Sequence, residues 1–253
     1  MKQATHRLHL QQPFLASCEA RITEIHPEKG VATDITVAFA EGGGQEGDHG
    51  TIITDNGYAV PFTDTQKGYG RLLLLPDFPS VQVDTPVYHK VVSEDLEKFS
   101  IGQPVKIVID VERRIKLIVS HSGIHAVLYA LERIKPDIYP LIRGCSIRPE
   151  TARLDFALDN ESKFSEEHII AAREFTNQMI QQNWEAITYA HPKEAEAMYW
   201  KCGDAIWACG GTHLPSIGVI GEVMTTKKNL GATMQRVSFA FPNAIFDTSR
   251  FVI

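Results

Sequence analysis

Short stretches of alternating apolar and polar side chains dominate the first 110 residues and predict a run of strands. β-branched and aromatic residues recur there, and Pro27, Gly30 and Gly57 interrupt them. The predicted strands cover residues 20–25, 30–40, 51–60, 70–75, 86–92 and 104–111. Many short strands at regular spacing are typical of a small barrel or sandwich. We therefore expect residues 1–110 to form an N-terminal β-barrel domain.

Beyond residue 110 the apolar positions change to a helical period, and helices then alternate with strands. An apolar stripe over residues 118–134, closed by Pro136, predicts a first helix. Residues 166–184 predict a second helix, with Ser165 as its N-cap. Strands are predicted at 146–148, 153–158, 219–225 and 235–241, and a strand with a short helix within 185–204. This alternation predicts an α+β domain over residues 111–253.

Composition limits the classes of function more than it changes the fold. The chain has 253 residues, of which 43% are hydrophobic and 22% charged, as in ordinary globular proteins of one or two domains. Four cysteines are too few for a disulfide scaffold. No apolar run reaches the length of about 18 residues that a membrane helix needs. The N-terminus lacks the apolar segment of a signal peptide, so we expect a cytoplasmic protein without a membrane partner.

The charge distribution leaves two interpretations open. A net charge of −6 does not favour nucleic acid, which usually binds a basic face. Basic residues nevertheless recur within residues 106–116, 133–153 and 227–236, while acidic residues concentrate within 161–196. These intervals could form a local basic surface, or they could be ordinary solvated surface charges.

Two pairs of metal-capable side chains are each spaced four residues apart in the sequence. His121 and His125 would lie on one face of the first predicted helix. Cys209 and His213 flank a Gly-Gly turn. Together they offer the nitrogen and sulfur donors that zinc prefers. Each pair alone could equally be core or surface residues, and Cys202 is either an alternative ligand or a buried thiol.

A glycine-rich stretch is the third candidate region. Gly42, Gly43 and Gly44 are followed directly by Gln45. Consecutive glycines allow positive φ and a close approach of the backbone to another group. A loose hairpin loop is the simpler interpretation. Gln45, however, carries amide donors and a carbonyl acceptor, and could hydrogen-bond to a substrate held by the second domain.

In this order, the three motifs resemble those of the stand-alone alanyl-tRNA editing proteins, the AlaX type, which are similar to the editing region of alanyl-tRNA synthetase. The motifs that carry the resemblance are Glu41-Gly42-Gly43-Gly44-Gln45 with Asp48 and Gly50, His121-x-x-x-His125, and Cys209-Gly210-Gly211-Thr212-His213. The resemblance spans roughly residues 35–240, with weaker agreement at Arg114 and elsewhere. A barrel followed by an editing domain of the kind shared with threonyl-tRNA synthetase is similar to the medium-length class.

The resemblance implies an ATP-independent hydrolase that removes serine or glycine from mischarged alanine-specific tRNA, with zinc organising the site. The implied zinc ligands are His121, His125, Cys209 and His213. The implied catalytic residues are Gln45, Ser122 and Thr212, and the implied substrate-binding residues are Gly43, Gly44, Gly211 and Arg114. Serine differs from alanine by one hydroxyl, which an apolar pocket rejects poorly and polar partners can select. This chain has Ser122-Gly123 where the family usually has Thr-Ala.

Two other functions fit the same residues. Four protein ligands make the closed tetrahedral site typical of structural zinc, whereas hydrolysis by a bound water needs an open position. The chain could therefore be a tRNA-binding module with a purely structural zinc. It could also be a zinc hydrolase of a small ester or amide, an alternative that the net negative charge leaves open. The oligomeric state and residues 242–253 receive no prediction.

Overall fold

The structure is a computed structural model that describes residues 3–252. Met1, Lys2 and Ile253, at the ends of the two predicted domains, lie outside the described residues. The fold is mixed α/β, as predicted, with strands concentrated before residue 110 and two long helices after it. No helix within the described range has the length and apolar composition needed to cross a membrane.

The first part of the described chain consists of strands and connecting loops, with short 3-10 turns at Leu8–Leu10 and Ser93–Lys98. Its strands are β1 (His6–Arg7), β2 (Ser17–His26), β3 (Gly30–Thr33), β4 (Ile35–Thr36), β5 (Gly50–Thr54), β6 (Ala59–Phe62), β7 (Thr65–Lys67), β8 (Arg71–Leu75), β9 (Phe78–Val83), β10 (Val87–His89) and β11 (Pro104–Ile109). The predicted strand over 30–40 is two strands, because the Asp34 side chain between them accepts a hydrogen bond from Arg21 N at 2.7 Å.

Seven of these strands form one sheet in the order β6-β5-β11-β2-β3-β10-β7. The outermost strands β6 and β7 do not pair with each other in the described chain, so the sheet is open and the predicted closed barrel is not confirmed. The segment joining them bonds elsewhere, with Thr63 N donating to Lys90 O at 3.0 Å. A bulge between Ile22 and Glu24 of β2 bends the sheet without closing it.

The second part of the chain contains both long helices and the remaining strands. They are α1 (Val111–Ile134), β12 (Ile142–Arg148), β13 (Thr151–Ala157), α2 (Glu166–Gln181), β14 (Ala186–His191), β15 (Glu194–Cys202), β16 (Ala205–Ala208), β17 (Met224–Asn229) and β18 (Met234–Ala240). Short 3-10 turns lie at Tyr139–Leu141, Gly218–Ile220 and Thr248–Arg250. The strands form one sheet in the order β12-β13-β18-β17 and another in the order β14-β15-β16.

Helix α1 begins well before the apolar stripe that predicted it. Asp110 caps it, since its side chain accepts a hydrogen bond from Arg113 N at 3.0 Å. The first turn is polar, which explains why hydrophobic periodicity did not find it. Helix α2 has the predicted Ser165 cap, within a capping box closed by His168. It ends at Gln181 rather than 184, because Asn183 adopts a positive φ of 49°.

The short helix predicted within residues 185–204 is wrong, because this stretch is the hairpin β14–β15. The sequence Glu194-Ala195-Glu196-Ala197-Met198 consists of good helix formers. Pairing of β15 with β14, and of its second half with β16, overrides that local preference. From Met198 to Cys202 every second residue is buried, which is the period-2 pattern of a strand.

Apolar side chains gather in two main clusters on either side of residue 110. One lies on the seven-stranded sheet and includes Ile52, Phe62 and Ile107. The other lies between α1, α2 and the four-stranded sheet and includes Phe156, Trp200 and many more. A small third cluster joins the β8–β9 hairpin to β15. The division into domains 1–110 and 111–253 stays a prediction.

Replacing Gly123 of α1 with alanine should destabilise the fold. A Cβ there would overlap the ring of Phe241, which is itself buried. Overpacking a core costs about 1–3 kcal/mol, which exceeds the gain of about 1 kcal/mol in helix propensity. Urea unfolding of Gly123→Ala should therefore show a loss of stability. The double variant Gly123→Ala/Phe241→Leu should recover part of it; an unchanged midpoint for the single variant would contradict the close contact.

The buried His89 should make stability fall as the pH drops below neutrality. Burial lowers the pKa of His89 to about 4, against about 6.5 in the unfolded chain. Between these two values the unfolded state binds the extra proton, so stability present above pH 6.5 is lost as the pH falls toward 4. In this window His89→Gln should reduce the pH slope of the unfolding free energy by about 1.4 kcal/mol per unit. Equal slopes for both proteins, in urea titrations at several pH values, would refute this.

Candidate metal centre and its pocket

Four potential metal ligands meet in the structure: His121, His125, Cys209 and His213. Their ligand atoms all lie within 4.8 Å of one another. Cys209 Sγ is 3.3 Å from His121 Nε2 and 3.5 Å from His213 Nε2. A tetrahedral zinc site with ordinary bond lengths separates sulfur and nitrogen ligands by about 3.6 Å. The cluster therefore fits a metal ion, whereas Cys202 lies apart in the hydrophobic core.

The two ligand pairs are held together by main-chain contacts. His121 and His125 lie one turn apart on α1, as the spacing predicts. Cys209 follows β16, and its N donates to Met198 O at 2.8 Å. Farther along, Leu214 N donates to the Ser122 hydroxyl at 2.8 Å. The loop that carries Cys209 and His213 is thus fastened to a strand at one end and to α1 at the other.

Gln45 orients one of the ligands. Its Oε1 lies 2.6 Å from His121 Nδ1, so the carbonyl accepts a hydrogen bond from Nδ1–H. The unprotonated Nε2 is then free to face Cys209. Gln45 Nε2 donates to the Thr212 hydroxyl at 3.1 Å, and Thr212 N donates to Gln45 Oε1 at 3.3 Å. One buried amide therefore links the glycine-rich stretch to both halves of the cluster.

The glycine-rich stretch reaches this position because its backbone turns sharply and then bonds to β12. Gly43 and Gly44 have φ of 60° and 88°, in the left-handed region that favours glycine. Ile147 N donates to Gly44 O at 2.7 Å, and Glu46 N donates to Ile147 O at 3.2 Å. A Cβ at Gly44 would meet the Cys145 side chain at 2.7 Å. The stretch is a fixed part of the site rather than a loose hairpin loop.

Burial sets the protonation of the cluster. It lowers the pKa of His125 to about 3 and holds the pKa of His121 and His213 well below the usual value. All three imidazoles are therefore neutral and can donate a lone pair. Burial raises the pKa of the Cys209 thiol to about 12. Binding a metal here has to displace the thiol proton, as with other thiolate ligands.

A cavity of about 580 Å³ opens beside the cluster. His121, His125, Cys209 and Gly211 line it, and so does Gly43. Much of the remaining wall is apolar and includes side chains of α1, β9 and β12. Its volume lies within the range of about 300–1,000 Å³ typical of sites for small ligands. Behind the ligands, His125 stacks on Trp200 with 4.6 Å between the ring centroids.

Only some of the predicted site residues line this cavity. Gly43 and Gly211 do, and so do three of the four ligands. Gln45, Ser122 and Thr212 are fully buried behind the wall and hold other parts of the site. Gly44 packs on Cys145 instead. Their predicted catalytic and substrate-binding roles stay predictions.

Arg114 lies outside the cavity wall. Its side chain is fully buried and forms an ion pair with Asp48. It also donates hydrogen bonds to Pro13 O and Val37 O, each at 2.8 Å. A contact with substrate would require this pair to open. The geometry therefore suits a structural residue, and the predicted role in substrate binding remains untested.

Four polar side chains that line the cavity are not predicted from the sequence. They are Arg7, His9, Lys67 and Glu196, of which Arg7 and Glu196 form an ion pair. Burial and then the nearby Arg114 hold the pKa of His9 well below its usual value. These side chains come from three separate segments, so no local spacing relates them. A sequence search could find them only with knowledge of the strand order.

The sequence of this chain is similar to those of alanine–tRNA ligases. No family model matches the chain. The chain is 29% identical over 256 residues to the alanine–tRNA ligase of Pyrococcus furiosus, a match that covers 93% of this chain and 26% of the ligase. A second ligase, from Ignicoccus hospitalis, is 29% identical over 88% of this chain and 24% of its own length. The chain thus spans about a quarter of the length of these ligases.

A shorter protein matches along its whole length. The alanyl-tRNA editing protein AlaX-M of Pyrococcus horikoshii is 27% identical over 240 residues, which are 94% of this chain and 98% of that protein. This chain is similar to an AlaX-type editing protein along almost its whole length. The resemblance that the three motifs indicate is confirmed.

Because Gly211 lies close to His121, alanine substitution at Gly211 and at its neighbour Gly210 should affect metal binding very differently. A Cβ at Gly211 would overlap the His121 ring, whereas one at Gly210 would have its nearest contact at 3.9 Å, with Leu10. Gly211→Ala should therefore displace a ligand and weaken metal binding by about 10–100-fold, the usual effect of disturbing ligand orientation. Gly210→Ala is the matched control and should bind metal normally. Zinc affinity measured by chelator competition checks both, and equal affinities would contradict the contact.

Proposed function

We propose that the protein is a trans-editing deacylase, which hydrolyses the ester between serine or glycine and alanine-specific tRNA in the cytoplasm. The observation that carries the proposal is the four-ligand cluster at the wall of a cavity of about 580 Å³. A cavity of this size can take a terminal nucleoside with its esterified amino acid. The match to nearly the whole of AlaX-M, and to a quarter of the ligases, supports this activity. In this proposal residues 111–253 are an editing domain of the type common to threonyl- and alanyl-tRNA synthetases.

Zinc is the metal that we propose for the cluster. Three neutral imidazoles and one thiolate form a donor set that suits zinc in tetrahedral geometry. When bound, zinc would act as a Lewis acid toward the ester or a neighbouring water. Around it the protein supplies a nearly dry wall, since His121 and His213 are 3% and 4% exposed. Exclusion of bulk water strengthens every charge interaction in such a site.

The polar side chains behind the ligands receive positioning roles in this proposal. Gln45 fixes which nitrogen of His121 faces the metal, and Thr212 holds the Gln45 amide. Ser122 holds the loop that carries His213, through Leu214 N. Gly43 and Gly211 lack side chains, so the ester can approach the ligands closely between them. Discrimination of serine from alanine then rests on polar groups that the substrate hydroxyl meets in the cavity.

A second candidate function is a tRNA-binding module with structural zinc. The observation that favours it is the number of ligands, because all four side chains converge and a closed four-ligand site is typical of structural zinc. A zinc hydrolase of a small ester, indifferent to the tRNA, is the remaining alternative. Activity measurements separate the three.

The decisive assay measures release of the amino acid from seryl-, glycyl- and alanyl-tRNA, all charged on alanine-specific tRNA. We expect hydrolysis of the seryl or glycyl ester, little hydrolysis of the alanyl ester, and loss of activity with a chelator. Cys209→Ala should lose metal and lower the rate by on the order of 100-fold or more. Cys202→Ala removes a buried thiol outside the cluster, so this variant should keep both the metal and the hydrolysis rate.

Each other outcome selects an alternative. Normal activity in metal-free Cys209→Ala would overturn the proposal. Binding of tRNA without hydrolysis of any ester would favour the structural-zinc module. Equal rates on tRNA esters and on small esters would favour the general hydrolase.

A further inference from the structure

The four-stranded sheet has one face covered by helices and one face that carries a pattern of polar groups. Helix α1 packs against β12 and β13, and α2 packs against β17. Side chains alternate between the two faces along each strand, and in β18 every second residue is buried. The inward residues, such as Leu154, Phe156, Val237 and Phe239, belong to the hydrophobic core. The residues between them therefore form the opposite, outer face.

Strand register places the outer-face residues in three rows across the sheet. The rows are Arg148-Thr151-Ala240-Met224, Ser146-Arg153-Ser238-Thr226 and Gly144-Asp155-Arg236-Lys228. Four cations, four hydroxyls and one carboxylate thus share this face. We call these residues the outer sheet face.

Positive charge exceeds negative charge on the outer sheet face. Asp155 is the one carboxylate in the three rows, and it pairs with both Arg153 and Arg236. Arg148 is 68% exposed and pairs with Glu46, at the sheet edge, at 3.1 Å. Lys228 is exposed and has no ion pair within residues 3–252. This local excess contrasts with the net charge of −6 of the whole chain.

The outer sheet face is open to a ligand and lies next to the candidate site. A shallow groove of about 440 Å³ runs over it, lined by Arg148, Arg153, Thr226 and Ser238 among others. At its β12 edge, Ile147 bonds to the glycine-rich stretch that carries Gln45. Ile147 lines the cavity, and its neighbour Arg148 points to the outer face. Only one strand separates the two surfaces.

We propose that the outer sheet face binds the sugar–phosphate backbone of the double-stranded arm of the substrate tRNA. The proposal rests on the proposed function and names the surface that function would need. Guanidinium, ammonium and hydroxyl groups are the side chains that most often bind phosphate oxygens. The duplex lies on the outer face, and the single-stranded 3′ end crosses the β12 edge to reach the cavity. An apolar or zwitterionic partner would leave the charge excess unused.

Lys228→Ala and Arg148→Ala test the proposal from opposite edges of the sheet. Arg148 touches Glu46, beside Gln45, so its loss could also act through the glycine-rich stretch. Lys228, on the strand farthest from β12, has no such contact. The matched controls are Lys90→Ala and Arg133→Ala. Lys90 is an exposed lysine of the seven-stranded sheet region. The side chain of Arg133, at the end of α1, is 54% exposed and pairs with Asp204.

The first measurement is the affinity for uncharged alanine-specific tRNA at several salt concentrations. Loss of one phosphate contact should lower the slope of log affinity against log salt by about 1 and weaken binding at low salt several-fold. We expect this for Lys228→Ala and Arg148→Ala and not for the two controls. The double variant should lower the slope by about 2.

The second measurement compares deacylation of a full tRNA with that of a short 3′-terminal oligonucleotide carrying the same amino acid. For the full tRNA, KM should rise in both outer-face variants while kcat stays unchanged. For the oligonucleotide, both constants should stay at the values of the unaltered protein. A fall in kcat with both substrates, confined to Arg148→Ala, would show that Arg148 acts through the loop and would overturn its assignment as a phosphate contact.

Failure of this proposal is distinguishable from failure of the proposed function. Unchanged affinity and unchanged salt slope in the double variant would overturn the assignment of the outer sheet face. Equal losses of tRNA affinity in the control variants would overturn it too, since the affinity would then depend on the total charge of the protein and not on this face. If the unaltered protein hydrolyses no tRNA ester but the double variant still loses tRNA binding, the proposed function fails and the binding surface stands.

Discussion

The buried ion pair between Arg114 and Asp48 determines how the two parts of the chain meet. Both side chains are essentially inaccessible, and the guanidinium also bonds to the carbonyls of Pro13 and Val37. A buried pair is tolerated only when its hydrogen bonds are satisfied, and removal of one partner typically costs about 3–5 kcal/mol. The start of α1 is therefore fixed against the glycine-rich stretch. Since His121 lies two turns along that helix and Gln45 just before Asp48, their hydrogen bond depends on the same pair.

Small residues let the remaining elements approach closely enough to complete the site. Gly211 lies against the His121 ring, and Gly44 lies against Cys145. Each contact occupies the space of a missing Cβ, so the loop lies directly against the His121 ring and the glycine-rich stretch directly against β12. Close packing keeps the imidazoles dry, and dryness keeps them neutral. The glycines at these two positions thus help to keep the imidazoles of the cluster neutral.

The parts of the site with a local signature could be predicted from the sequence, and the parts built by tertiary contacts could not. Helical spacing found His121 and His125, and the resemblance joined them to Cys209. The predicted catalytic role of Ser122 stays a prediction, and its contact could not be predicted: residues adjacent on a helix point about 100° apart, and its hydroxyl accepts a hydrogen bond from Leu214 N of the loop. The open edge between β6 and β7 depends on pairings elsewhere in the sheet, which no short pattern reports.

The glycine-rich stretch also covers part of a sheet edge. β12 is an outermost strand of its sheet, and such strands expose unpaired main-chain groups that can join another molecule edge to edge. The N–H and C=O of Ile147 are both taken by Gly44 and Glu46. The same contacts that bring Gln45 to the ligands therefore block the middle of that edge. A sequence change that frees the stretch would disturb the site and at once expose an edge prone to aggregation.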